Sequence, residues 1–341
     1  MKTSDFTYDL PKELIAQTPL EDRTQSRLLR VQRESQDLSD HTFKDLRDFL
    51  SPGDVLVLND SAVIPARLYG VKTETGALVE VLLLKPLGLK RYQALVKKAR
   101  KIDVGDQISI GEGRLILTCD SVENEGIRTF QLTYEGDFYV LLDDLGEMPL
   151  PPYIHEKLAD QTRYQTVYAN EKGSAAAPTA GLHFTLEFLD ELTQKGVIVT
   201  AITLHVGLGT FRPVKVEDVK QHTMHEESYQ INQATADILN QARAESRRIV
   251  AVGTTVMRTL ETEMTKRDTF EATHDVSELF IYPGFNFKAV DALFTNFHLP
   301  ESTLLMLVSA FASKAFIMTA YAHAVKEKYR FFSFGDAMFI E

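Results

Sequence analysis

The sequence predicts an α/β fold: one α/β domain, split along the chain, with a small all-β domain (sandwich or barrel) inserted into it. Two observations carry this. After residue 150, apolar runs of strand length alternate with segments of helical periodicity, the pattern of a sheet with a largely parallel core. Between about Ser61 and Gly136, helical periodicity is weak and short apolar runs alternate with turn residues, the pattern of an all-β unit. The boundaries expected are residues 1–60 with 150–341 for the α/β domain and 61–149 for the insert.

Taken in order, Phe43 to Leu50 reads as a short amphipathic helix, and Ser51-Pro52-Gly53-Asp54 as a turn by its Pro-Gly chemistry. Val55 to Leu58 is then a buried strand ending in Asn59-Asp60. In the insert, strands are expected at Leu78–Leu84, Tyr92–Val96, Gln107–Ile110, Arg114–Thr118 and Ile127–Tyr134, with helix returning at Asp137–Leu145. Met148-Pro149-Leu150-Pro151-Pro152-Tyr153 is an extended connector. Beyond it, helices are expected over Thr185–Gln194, Asn232–Glu245 (Asn232 capping), Thr255–Lys266, Ser302–Phe316 and Thr319–Tyr329. Strands are expected at Val197–Val206, Ile249–Val252, Leu279–Tyr282 and Ala292–Thr295.

Composition narrows the class. The chain has 341 residues, 44% of them hydrophobic and 25% charged, which fits two globular domains. A single cysteine, Cys119, excludes an internal disulfide and a Cys-rich metal site, and fits a reducing, cytoplasmic setting. Met1-Lys2-Thr3-Ser4-Asp5 contains no apolar signal core. Leu304 to Ala322, the most apolar stretch, carries Ser309, Ser313 and Lys314 and is expected as buried helix, with no membrane partner. The net charge of −11 argues against a non-specific nucleic-acid binder, though not against a local basic patch. Lys97, Lys98, Arg100 and Lys101, with Lys90 and Arg91 nearby, form one such patch; a solvated strand face is the competing reading.

Three segments place small and polar residues where a strand or loop meets a helix: Ala177 to Phe184, His205 to Phe211, and Gly253-Thr254-Thr255. In α/β proteins such loops, at the carboxyl ends of strands, hold ligands. Gly253-Thr254-Thr255 could hold a carboxylate or phosphate on free helix-start N–H groups, with Arg258 a second donor; a tight turn is the plainer alternative. Gly207-Leu208-Gly209 lacks the third glycine of a dinucleotide fingerprint. His183, His205, His222, His225 and His298 lie in segments of this kind, and acid–base work near neutral pH suits them better than metal binding, since the His-Glu-x-x-His spacing is absent. Asn296-Phe297-His298 could read a base edge and stack on it. Ser26-Arg27 and Asn59 through Arg67 place charge beside apolar runs, as buried ion pairs or ligand contacts.

As a set, longer runs resemble the S-adenosylmethionine:tRNA ribosyltransferase-isomerase family of the queuosine pathway. They include Val63-Ile64-Pro65-Ala66-Arg67, Gly146-Glu147-Met148-Pro149-Leu150-Pro151-Pro152-Tyr153, Ala177-Pro178-Thr179-Ala180-Gly181-Leu182-His183-Phe184, Leu204-His205-Val206-Gly207-Leu208-Gly209-Thr210-Phe211, and Thr295-Asn296-Phe297-His298-Leu299-Pro300. Tyr329 to Phe339 closes the match, which covers nearly the whole chain. It departs at Thr255-Val256-Met257-Arg258, where relatives read Thr-Ser-Val-Arg or similar, and near Tyr92 and Lys98, where relatives often have Trp and Pro. The last departure weakens any claim that the lysine patch is a family-wide RNA contact.

The resemblance implies a barrel-like α/β main domain with an inserted small β-barrel. It also implies a reaction: the ribosyl unit of S-adenosylmethionine passes to 7-aminomethyl-7-deazaguanine at the wobble position of a tRNA with a GUN anticodon. Isomerisation gives epoxyqueuosine, with adenine and methionine released. S-adenosylmethionine is then a co-substrate; no cofactor and no metal are expected, and the chain is expected to act as a monomer. His183, His205 and His225 are the acid–base candidates. Thr179, Gly181, Gly207, Gly209, Thr210, Gly253, Thr254, Thr255, Arg258, Asn296, Phe297 and His298 are the substrate-binding ones. Three rivals stand beside this. A tRNA methyltransferase would need a glycine-rich loop that Leu58-Asn59-Asp60 does not supply. A non-catalytic tRNA-binding protein would not consume S-adenosylmethionine. A hydrolase with a metal on His222 and His225 would be sensitive to chelators.

Overall fold

The computed structural model describes residues 1–97, 99–156, 158–207, 214 and 216–341. The expectations for Lys98, Gly209 and Thr210 lie outside the described residues. Strands are β1 (Arg27–Gln32), β2 (Asp37–Thr42), β3 (Val55–Asn59), β4 (Ser61–Val63), β5 (Arg67–Lys72), β6 (Leu78–Pro86), β7 (Arg91–Val96), β8 (Gln107–Ile110), β9 (Leu115–Val122) and β10 (Ile127–Tyr134). They continue as β11 (Glu171–Ser174), β12 (Ile198–Leu204), β13 (Glu227–Ile231), β14 (Ile249–Val252), β15 (Thr273–Ser277), β16 (Ala292–Asn296) and β17 (Ala337–Ile340). Helices are α1 (Leu46–Phe49), α2 (Phe138–Leu145), α3 (Leu186–Gln194), α4 (Gln233–Ala244), α5 (Thr254–Lys266), α6 (Thr303–Ala312) and α7 (Lys314–Lys326).

Two compact units divide the chain: Met1–Ser61 with Pro152–Asn170 and Pro178–Glu341, and Ala62–Pro151 with Glu171–Ala177. The smaller is the inserted β-barrel, closed in the order β10-β7-β6-β5-β8-β9. Its strands alternate: Val79, Val81 and Leu83 of β6 point inward with Leu115, Leu117 and Cys119 of β9, while the residues between them face outward. Gly70 is small of necessity, since a Cβ there would sit 2.6 Å from the Ser109 carbonyl oxygen across the β5–β8 pair. Asp137 caps α2 by accepting from the N–H groups of Tyr139 and Val140, and Leu141 and Leu142 join the barrel core.

The larger unit is a mixed nine-stranded sheet, β15-β13-β12-β3-β14-β16-β17-β1-β2. Its centre, β12-β3-β14-β16, is parallel, with Val57 beside both Thr200 and Ala251. β17 runs antiparallel to β16, and β13, β15 and β2 are antiparallel to their neighbours, so parallel pairing is confined to the centre and to β1–β17. The hydrogen-bond order ends at β15 and β2, so this sheet is open; closure belongs to the smaller unit. β3, β14 and β16 are buried on both faces, so β14 reads as an unbroken apolar run and β3 and β16 as apolar runs that end in Asn59 and in Thr295-Asn296. On one face Leu56, Leu58, Val250, Val252 and Phe294 pack with Phe184, Phe188 and Leu192 from α3 and the loop before it.

Two expectations are corrected. Leu279–Tyr282 is not a strand; the strand lies just upstream at Thr273–Ser277, and Ile281 instead plugs the core from an irregular segment. The apolar helix after Ser302 ends at Ala312 rather than Phe316. Ser313 takes φ 71°, bending the chain, and caps α7 by accepting from the Phe316 N–H. α6 and α7 meet at 114°, and among the described residues no single helix is long and apolar enough to cross a membrane.

Candidate active site

One end of the larger sheet gathers the polar residues. β3, β12, β14 and β16 end there, while β13, β17 and β1, which run the other way, begin there. After β3 the chain runs through β4 and the inserted unit and rejoins this sheet at β12, and after β14 it passes through α5 to β15 at the far edge before reaching β16. The carboxyl ends of the parallel strands, where the connecting loops gather, are the usual ligand position of an α/β sheet.

Asn59, fully buried, ties this sheet end together. Its Nδ2 donates to the Leu204 carbonyl at 3.0 Å and to Thr255 Oγ1 at 3.3 Å, and its Oδ1 accepts from the Leu204 N–H at 3.0 Å. The ends of β3 and β12 and the first turn of α5 are thereby fixed to one another. Ser61 follows, its Oγ 2.8 Å from Nδ1 of His205, which holds the half-buried imidazole at the mouth of β12. Asp60 accepts from Thr203 Oγ1 at 2.6 Å.

Gly253 joins β14 to α5 with φ 90°, a conformation that favours glycine. Its N–H bonds the Phe294 carbonyl, and Thr254 and Thr255 open the 13-residue α5, whose first N–H groups have no partner within the helix. Arg258 stands one turn on, but its guanidinium is already engaged. Both it and Glu227 are buried; Nη2 donates to Glu227 Oε2 at 2.5 Å, and Oε1 of the same carboxylate accepts from the Gly207 N–H at 2.9 Å. Arg258 thus acts on the ligand loop through Glu227.

His183 is the second hub. Thr179 Oγ1 donates to Asn296 Oδ1 at 3.3 Å, and Asn296 Nδ2 donates to His183 Nε2 at 3.1 Å. This leaves the ring proton on Nδ1, which donates to Ser26 Oγ at 2.7 Å. The ring stacks on Phe43 with centroids 5.7 Å apart and meets Phe294 edge-on. Burial, with the charges of Arg23 and Arg330 behind it, pushes its pKa down to about 3, so the imidazole is neutral across the physiological range. Gly181, in the same turn, is dictated by packing: a Cβ there would come within 2.0 Å of the Tyr168 hydroxyl.

The remaining expectations fall elsewhere. Phe297 is not placed to stack on a base: it is 1% exposed, wedged among Tyr321, Tyr329 and Phe331, because the Asn296–Pro300 loop folds into the aromatic core. His298 is buried beside it with Nε2 3.1 Å from Thr295 Oγ1, and burial takes its pKa down to about 3. His225 is exposed, two residues before β13, and its charge depresses the pKa of His222 after the larger effect of burial. In the barrel, Lys97 donates to Glu80 at 2.9 Å and Arg91 pairs with Asp120, while Arg100 and Lys101 are exposed. Glu227 carries no signal in the sequence, and Ser26, Asn59 and Ser61 stand there only in runs that read as buried ion pairs or ligand contacts. The usable signal was the polar run Asn59-Asp60-Ser61 directly after a buried strand.

Comparison with known proteins decides the family. The family model described as "Queuosine biosynthesis protein" matches residues 3–340. The chain belongs to this queuosine biosynthesis family. A Staphylococcus haemolyticus protein named S-adenosylmethionine:tRNA ribosyltransferase-isomerase is 56% identical over 340 residues, covering 100% of both chains. A Staphylococcus aureus (strain Newman) protein of the same name is 55% identical over the same span, again covering 100% of both chains. Among solved structures, the S-adenosylmethionine tRNA ribosyltransferase of Thermotoga maritima is 41% identical, covers 99% of this chain and 100% of its own, and superposes with a TM-score of 0.58. Within the family, the sheet-end residues named above are the chain's own candidates for the reaction.

Proposed function

We propose that this chain is an S-adenosylmethionine:tRNA ribosyltransferase-isomerase acting on 7-aminomethyl-7-deazaguanine at the wobble position of a GUN-anticodon tRNA, as a monomer in the cytoplasm. The observation that carries the reading at residue level is the polar cluster at the sheet end, where Asn59 ties β3 to β12 and α5 and Ser61 holds His205. The positive sulfonium of S-adenosylmethionine acidifies the protons on its neighbouring carbons. A base at this sheet end removes one from the ribose carbon, adenine departs with a proton on its ring nitrogen, the tRNA amine attacks, and methionine leaves.

His205 is the group we assign to proton transfer, with exposed His225 a second donor or acceptor on the same side. His183 is a positioning residue: both ring nitrogens are bound within the protein, and it orients Asn296 and Ser26. The first turn of α5, Gly253-Thr254-Thr255, receives the methionine carboxylate on its free N–H groups, and Arg258 keeps the Gly207 loop in place through Glu227. Gly209 and Thr210, which follow Gly207 in the sequence, are assigned to the same ligand. Arg100 and Lys101 are the residues of the barrel's basic patch offered to RNA.

The test is a product assay with S-adenosylmethionine and tRNA bearing the aminomethyl-deazaguanine. Adenine and methionine released in equal amounts, and only with the modified tRNA, are the expected result. S-adenosylhomocysteine in their place would make the chain a methyltransferase, and binding without turnover would make it a tRNA-binding protein.

A further inference from the structure

Beside His183 lies a small hollow open to solvent, lined in part by Arg23, Ser26, Arg163, His183, Ser333 and Gly335. Its chemistry is unusual for a chain of net charge −11. Arg23 and Arg163 line it, and Arg330 lies close enough to depress the pKa of His183. Among the described residues none of these three guanidiniums forms an ion pair with a carboxylate. They are held by backbone carbonyls instead. Arg23 donates to the carbonyls of Gln165 at 3.1 Å and Leu182 at 3.3 Å, Arg163 to those of Glu21 at 3.3 Å and Leu20, and Arg330 to that of Thr18.

A neutral carbonyl fixes a guanidinium in place without cancelling its charge. Asp336 is buried, accepts from the backbone N–H groups of Arg27 and Arg330 and offsets part of the charge of Arg330, and Asp160 is exposed, bound to Thr162 and offsets part of that of Arg23, but among the described residues neither forms an ion pair with the three guanidiniums. Among the described residues, Arg163 Nε and Arg330 Nη1 are buried with no hydrogen-bond partner. Leaving such donors unmet costs free energy, and an anion in the hollow offsets that cost through the charge of the guanidinium rather than by bonding these atoms. Arg23 and Arg163 also repel one another: burial and then Arg163 lower the pKa of Arg23. An incoming anion relieves both costs at once.

We infer that this cleft binds a phosphate group of the RNA backbone. The assignment rests on the reading of the chain as a tRNA-acting enzyme. Planar guanidiniums presenting parallel N–H donors match a phosphate's oxygens, and Ser333 and Ser26 add neutral hydroxyls to the lining. The methionine carboxylate is the other oxyanion of the reaction, but the start of α5 is already suited to it.

The experiment measures binding of an anticodon stem-loop RNA and, separately, of S-adenosylmethionine to wild type, Arg163→Gln and Arg330→Gln, each across a salt series. Arg163→Lys and Arg330→Lys are made alongside, because a lysine keeps the charge where the Gln variant fails to fold by circular dichroism. For each Gln variant we expect RNA affinity to fall about tenfold. The slope of log affinity against log salt should become shallower by roughly 0.7 to 0.9, the loss of one phosphate contact. The Lys variants should retain the wild-type slope, and S-adenosylmethionine binding should be unchanged. RNA affinity and slope that stay at wild-type values in the folded variants overturn the assignment, and do so even if S-adenosylmethionine affinity falls, since the cleft would then hold the carboxylate. Failure of the functional reading looks different: the wild-type chain would itself neither bind the stem-loop nor release adenine.

Discussion

His205 and His183 sit on the same end of one sheet and are prepared for opposite tasks. His205 is half-buried, oriented through Nδ1 by Ser61 at the end of β12; His183 is sealed, neutral and bound at both nitrogens. His205→Gln should therefore lower kcat by about 10²- to 10⁴-fold, the usual worth of a general acid–base group. His183→Gln should leave the pH dependence of kcat as in wild type, because a group with a pKa near 3 does not titrate in the working range. A larger loss of kcat in the His183 variant than in the His205 variant would reverse the assignment. The same burial makes a stability prediction. His183 and His298 each carry a native pKa of about 3 against an ordinary value of 6.5. Above 6.5 both folded and unfolded chains leave them neutral, and stability does not depend on them. Below it the unfolded chain takes up protons the folded one refuses, so stability falls as pH drops from about 6.5 toward 3. Each histidine contributes a slope of up to about 1.4 kcal/mol per pH unit. Urea midpoints measured just above the carboxylate range should show this decline, and His183→Gln should make it shallower.

At the scale of elements, the sheet-end site depends on how α5 is tied to its neighbours. Arg258 reaches from α5 to Glu227 at the start of β13, and Glu227 in turn holds the Gly207 N–H after β12. Removing one member of a buried ion pair leaves the other charge stranded. Arg258→Met should cost about 3–5 kcal/mol, and adding Glu227→Gln should restore most of it. Urea denaturation of the single and double variants reads this directly; a single variant within about 1 kcal/mol of wild type would show that the pair does not anchor α5. Elements of this kind differ in how far they were legible. β14 was readable to the residue because it is buried on both faces and so wholly apolar. β15, Thr273-His274-Asp275-Val276-Ser277, was not, because as the edge strand its register is held by β13 and by Lys266 and Arg267 on Asp275 rather than by apolar pattern. The apolar Leu279–Tyr282 was mistaken for a strand because a core plug and a strand bury the same residues. The break at Ser313 was hidden too, since a left-handed serine leaves no mark in composition.

Across the whole molecule, the insertion of a closed barrel into an α/β unit was visible as a change of period. The convergence of the site was not. Ser26, Asn59, His183, His205, Gly253 and Asn296 are spread along the chain, and only the strand order places their elements at one sheet end. Phe297 shows the converse: a residue within a recognisable motif whose side chain belongs to the core. Charge behaves likewise. A chain with 37 basic and 48 acidic residues repels RNA at long range, so binding must come from a local concentration of unpaired cations. The arginine cleft supplies one, whereas Lys97 and Arg91 on the barrel already have acidic partners. This fixes the form of the salt dependence. If a few phosphates are gripped locally, kcat/KM at low tRNA concentration should fall with salt along a straight log–log line. Each phosphate gripped contributes a slope of roughly −0.7 to −0.9, so the total should be a small multiple of that value. A much steeper line would require a broad basic surface, which the net charge denies. A flat line would mean that no phosphate is held, and tRNA would then have to be given up as the substrate.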